Sequence, residues 1–130
     1  MKTSVKLWII KANNDLTVAK NEIKAVPAVT DVICFHCQQA VEKYLKAYLF
    51  INNTKPKRTH NIYEILESCI KIDEGFRFLK DINIDKLTIF SVETRYPDDL
   101  YIPTLEEAKE AIELAERAKE FVMRKLVEKG

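Results

Sequence analysis

Glycine is nearly missing from this chain and proline is sparse, with two glycines and four prolines in 130 residues. A β-sandwich or a disordered chain needs many more turn formers, so both are excluded. No run of about 18 apolar residues occurs, so no transmembrane helix is expected. Lys6 and Lys11 interrupt the apolar stretch that a signal peptide needs, and a cytoplasmic location is expected. An excess of charge is lacking too. Lys plus Arg is 21 and Asp plus Glu is 20, a net charge of +1. That excludes a uniformly basic nucleic-acid coat and an acidic tail protein, so anion binding must come from a local cluster. The three cysteines, Cys34, Cys37 and Cys69, are an odd set and read as reduced, buried thiols. Cys34 and Cys37 have C-x-x-C spacing, but the stretch reads as mid-helix, with no second pair and no preceding strand. Neither a metal site nor a redox centre is read from it, and no cofactor is expected.

What is present favours helix around one substantial core: 47% hydrophobic and 32% charged residues, in a chain long enough for one domain, 1–130. Apolar residues recur at three and four from Val5 through Ile9, Ala12, Leu16 and Ala19 to Ile23, predicting a helix over 5–26 capped by Ser4. A second helix is predicted over 31–52, with Thr30 or Asp31 as cap. Its apolar arc is wide, leaving only His36, Gln39, Lys43 and Lys46 as a narrow polar strip. Such a helix belongs at the centre of a bundle or in a subunit interface. Residues 52–59 form a basic loop, and a third helix follows over 61–72. A short helix is expected over 76–80, then a fourth capped by Asn83 or Asp85, with Leu87, Phe90 and Thr94 on one face. The loop 95–103 holds two prolines, and Thr104 caps a last helix whose acids crowd its first half and bases its second. No segment alternates with period two, so the fold class is all-α: an up-and-down bundle of four to five helices plus a short one.

Short connections imply antiparallel neighbours. Strict alternation would bring the 53–60 and 95–103 loops to one pole, with Lys55, Lys57, Arg58, His60, Arg95, Asp98 and Asp99. The N-termini of the third and fifth helices would join them and donate N–H groups to phosphate. Lys57, Arg58 and Arg95 are candidate phosphate ligands, and Arg95 alternatively pairs with Asp98 or Asp99. Asp98 has two readings: a ribose or metal-bound phosphate contact, or a cap or salt bridge.

The run Phe35-His36-Cys37-Gln38-Gln39-Ala40-Val41-Glu42-Lys43-Tyr44-Leu45-Lys46-Ala47-Tyr48-Leu49 resembles the second helix of HEPN (higher eukaryotes and prokaryotes nucleotide-binding) domains. Arg58-Thr59-His60-Asn61-Ile62-Tyr63-Glu64-Ile65-Leu66 resembles the start of their third helix, and Arg95-Tyr96-Pro97-Asp98 a third landmark. Trp8, Ala12, Asp15, Leu16 and Ala19 fit the first. The resemblance implies a helical bundle, usually a homodimer, with a nucleotide- or RNA-related role. Small prokaryotic members of this kind pair with a minimal nucleotidyltransferase in a toxin–antitoxin-like context, and others are metal-independent ribonuclease toxins. The resemblance makes His60 a phosphate or base contact, against a cap or core-satisfying role. It makes His36, Gln38 and Gln39 the lining of a groove toward a second copy or the nucleotidyltransferase, against a polar stripe on a buried helix. The ribonuclease branch carries Arg followed by His after four to six residues. Here His36 has no arginine before it and one residue separates Arg58 from His60, so the motif is missing. That favours a non-catalytic binding subunit. The alternatives are a ribonuclease using His60 and Arg95, or a purely structural dimer.

Overall fold

The computed structural model describes residues 2–91 and 102–129. Five α-helices occur there: α1 Thr3–Glu22, α2 Thr30–Ile51, α3 Ile62–Ile72, α4 Arg77–Asp81 and α5 Leu105–Lys129. Two 3₁₀ segments, Glu74–Phe76 and Ile84–Phe90, flank α4. No strand occurs among the described residues, so the expected all-α bundle holds. Where a full fourth helix was expected, the chain makes only the 3₁₀ turn Ile84–Phe90, entered through Asn83 in the left-handed region (φ 61°) with no side-chain cap. Thr94 lies outside the described residues.

Helix ends follow two different rules. Thr104 caps α5 as expected: its hydroxyl accepts the Glu107 N–H at 3.1 Å while Glu107 Oε1 accepts the Thr104 N–H at 3.0 Å. This reciprocal pair satisfies two exposed backbone donors. Ser4, Thr30 and Asp31 do not serve as caps. α1 begins one residue before Ser4, and α2 starts after Val29, whose N–H donates to Glu22 at 2.9 Å.

α2 is the central rod, with more than half of its residues buried. α1 runs antiparallel to it, since Trp8 stacks on Phe50, Tyr44 bonds Asn13 and Glu22 meets Val29. α5 runs the same way as α2. The Thr30 hydroxyl donates to the Pro103 carbonyl where both begin, and Phe76 bridges Tyr48 and Phe121 farther along. Strict alternation therefore fails, for a specific reason. The 52–61 connection does not turn at the end of α2 but travels back along it. Thr54 N–H bonds the Leu49 carbonyl, whereas His60 lies beside Gln38 and Glu42. From there α3 advances along α2, Cys69 reaching the Leu45 carbonyl. Lys55, which precedes Pro56, is biased to extended backbone, so a reversal is spent without a helix. Consequently Pro103 and the start of α5 lie at the opposite end of α2 from Asn52 to Thr54, about 30 Å away. The start of α5 is therefore not beside the Asn52–Thr54 turn, as strict alternation expects, and residues 95–101 lie outside the described residues.

The core is mostly aliphatic around three aromatic residues, Tyr44, Tyr48 and Phe76, its largest fully buried side chains. Burial raises the Cys37 and Cys69 thiols well above their ordinary range, so they are packing groups. Phe76→Ala is expected to lower unfolding free energy by about 3–5 kcal/mol in urea titrations, against under about 0.5 for exposed Val127→Ala. Lys125 donates to Asp73, as does the Gly75 N–H, and both hold the Asp73 carboxyl below its usual range. That stabilisation is full above the ordinary carboxylate pKa of about 4 and is lost as pH falls through the depressed value. Asp73→Asn is expected to flatten this part of the acid unfolding curve.

Candidate functional site

His36, Gln39, Lys43 and Lys46 follow one another at three or four residues, so they share one strip of α2. The strip is partly open, between α1 on one side and the returning 52–61 segment on the other. Two partly buried seams flank it. Against α1, the Asp15 carboxylate accepts from His36 Nδ1 at 2.8 Å and from Lys43 Nζ at 2.5 Å. Against the returning segment, Glu42 is the acceptor.

Glu42 is a carboxylate only 4% exposed, in the middle of the central helix. Isolated there, its charge would cost several kcal/mol. Its oxygens instead meet Lys46 Nζ at 2.7 Å, Gln38 Nε2 at 2.8 Å and His60 Nδ1 at 3.0 and 3.1 Å. Lys46 and Gln38 are one helical turn away on either side, so α2 itself brings them together. Gln39 extends the chain, donating to Gln38 Oε1 at 2.7 Å. His60 comes from outside the helix, and its ring is fixed at the strip's edge because the connection runs back along α2.

Lys57 and Arg58 are exposed just before His60, and no carboxylate among the described residues pairs with either. The structure thus brings Lys57, Arg58 and His60 onto one edge, with Gln39 linked to it through Gln38. His36 is held separately by Asp15. Arg95 and Asp98 lie outside the described residues. At the helix N-termini expected to meet an anion, side chains already take several of the N–H donors. The Ile62 N–H donates to Thr88 Oγ1 and the Glu64 N–H to Asn61, while Thr104 closes α5. Nor is the wide apolar arc of α2 an open surface, since α1, α3 and α5 cover it. Sequence reasoning passed over Glu42 as a site residue. The signal available was an acid flanked at four residues by Gln38 and Lys46 within an otherwise apolar helix.

No group of three or more His, Cys, Asp or Glu placed to hold a metal ion occurs among the described residues. No described helix is long and apolar enough to cross a membrane. Glu42→Gln keeps the shape but removes the charge that three donors face. It is expected to lower unfolding free energy by about 1.5–3 kcal/mol by chemical denaturation, with helicity retained.

No curated protein and no solved structure matches this chain. A family model does, the HEPN domain, over residues 5–126. That span runs from the first turn of α1 to the last turn of α5 and includes the His60 edge, so with nearly the whole chain aligned to the model the protein belongs to the HEPN domain family.

Proposed function

We propose that this HEPN domain is a non-catalytic subunit that holds a nucleotide, or a nucleotide-bearing substrate, by its phosphate at the edge formed by Lys57, Arg58 and His60. The observation that carries the reading is the buried Glu42 carboxylate, which fixes the His60 ring beside two exposed cations that have no carboxylate partner among the described residues. A phosphate needs charge neutralisation and directed N–H donors. Lys57 supplies a point charge, Arg58 a planar fork and His60 a ring held in one orientation. Partnership with a minimal nucleotidyltransferase, in a toxin–antitoxin-like setting, and assembly with a second copy belong to the same proposal. The partly open strip bearing His36 and Gln39 offers polar groups to such a partner, whereas the apolar arc of α2 is already covered.

One observation supports a second reading. A carboxylate on His60 Nδ1 orients an imidazole as in acid–base dyads, the arrangement a ribonuclease would use. RNA cleavage lost in His60→Ala would select that reading; an inert wild-type protein leaves the binding role. For the binding role, calorimetric titration with ATP is expected to give saturable heat, weakened about tenfold or more by Lys57→Glu or Arg58→Glu. No response, alone or with a co-expressed nucleotidyltransferase, contradicts it.

A further inference from the structure

Charge is segregated in this nearly neutral chain. Residues 1–14 contain no acidic residue, and neither do residues 43–63. The first stretch brings Lys2, Lys6 and Lys11, the second Lys43, Lys46, Lys55, Lys57 and Arg58. The fold lays the two stretches side by side, with Trp8 on Phe50 and the Lys2 ammonium at the Asn53 side-chain carbonyl. Glu42 and Asp15 border this region, but Glu42 is buried, Asp15 is partly buried, and each is paired with a lysine, Lys46 and Lys43 respectively, and bonded to a histidine. Asp73 lies around the other side of α2, where Tyr48 packs on Phe76, and engages Lys125.

Inside this region is a cavity of about 260 Å³ lined by Lys2, Ser4, Phe50, Asn53, Thr54 and Lys55. Its lining brings together an aromatic ring, two lysines and small hydrogen-bonding side chains. Phe50 is stacked on Trp8 at a ring separation of 5.8 Å and 22° between planes, and Lys46 sits 5.6 Å from the Trp8 ring. The cavity is smaller than sites for drug-sized ligands, which run about 300–1,000 Å³. It suits one planar ring and its phosphate. Phe50 lies eight residues beyond Glu42, so the cavity is about 12 Å along α2 from the level of His60.

We propose that this cavity at the end of α2 is a second anion site, taking a base and phosphate of single-stranded nucleic acid. The basic edge and the cavity then bind successive parts of one strand, and the preferred ligand is an oligonucleotide. The inference rests on the nucleotide reading above and extends it. A base stacks on Phe50, Lys2 and Lys55 neutralise the flanking phosphates, and the strand runs toward Lys57, Arg58 and His60. Stacking on an aromatic face tolerates any base, and backbone neutralisation makes binding salt-dependent.

The test is fluorescence anisotropy with a labelled oligouridylate of about eight nucleotides, across a salt series. Lys2→Glu and Lys55→Glu are each expected to weaken binding about tenfold and to lower the salt slope by about one. Phe50→Leu, which keeps packing against Trp8, is expected to lose about fivefold or more for the oligonucleotide but not for inorganic polyphosphate. Lys24→Glu, exposed beyond the far end of α1, serves as a control for net charge and is expected to act much more weakly. Wild-type oligonucleotide affinity in the Lys2, Lys55 and Phe50 variants, with ATP binding still sensitive to Lys57→Glu, overturns the cavity alone. Insensitivity to Lys57→Glu as well overturns the underlying nucleotide reading. Binding to phosphatidylserine vesicles without oligonucleotide binding overturns the nucleic-acid assignment.

Discussion

A buried carboxylate in the middle of the central helix is the constraint from which much of this architecture follows. Glu42 cannot remain charged in the core without donors around it. α2 provides two of them, Gln38 and Lys46, at one turn on either side. The third, His60, has to come from another part of the chain. The segment after α2 therefore does not simply turn over but returns half-way down the helix. Where that segment ends is where α3 begins. The reversal it uses up contributes to α5 lying parallel to α2 and not against it.

The same helix is built with two faces of different purpose. Its apolar arc is consumed by α1, α3 and α5, and Cys34 and Cys37 are part of that packing. Its narrow polar strip is held by two carboxylates, Asp15 from α1 and Glu42 from α2 itself. Each carboxylate orients one histidine through Nδ1 and one lysine. What remains toward solvent is a run of cations and an aromatic pair with no acid among them in sequence. This bundle is in that sense an orienting frame for the side chains on its edges.

The long helices α1, α2 and α5 were legible because period-3.6 stripes such as Val5, Ile9, Ala12, Leu16 and Ala19 leave few alternatives, whereas the short apolar set Leu87 and Phe90 did not separate a full helix from a 3₁₀ turn. The capping box at Thr104 was legible for the same local reason. The site was legible in part. Lys57, Arg58 and His60 were visible as a basic loop, and Gln39 and His36 as a polar strip. Direction was not legible, because counting helices assumes that every connection turns back at once. The 52–61 segment breaks that rule through the contact of His60 with Glu42, eighteen residues apart and so beyond the reach of local sequence patterns. Glu42 itself was invisible as a site residue because polarity at one position does not reveal burial. That Asn61 and Thr88 take two N–H donors at the start of α3 was not legible, because Thr88 is 26 residues from Ile62.

The central claim is that the Glu42 carboxylate and the His60 ring act as a coupled pair. A double-mutant cycle of Glu42→Gln and His60→Gln, read by urea unfolding, tests it most directly. A coupling free energy of about 1 kcal/mol or more is predicted for groups in direct contact. Additive effects, with coupling below about 0.3 kcal/mol, would contradict the account.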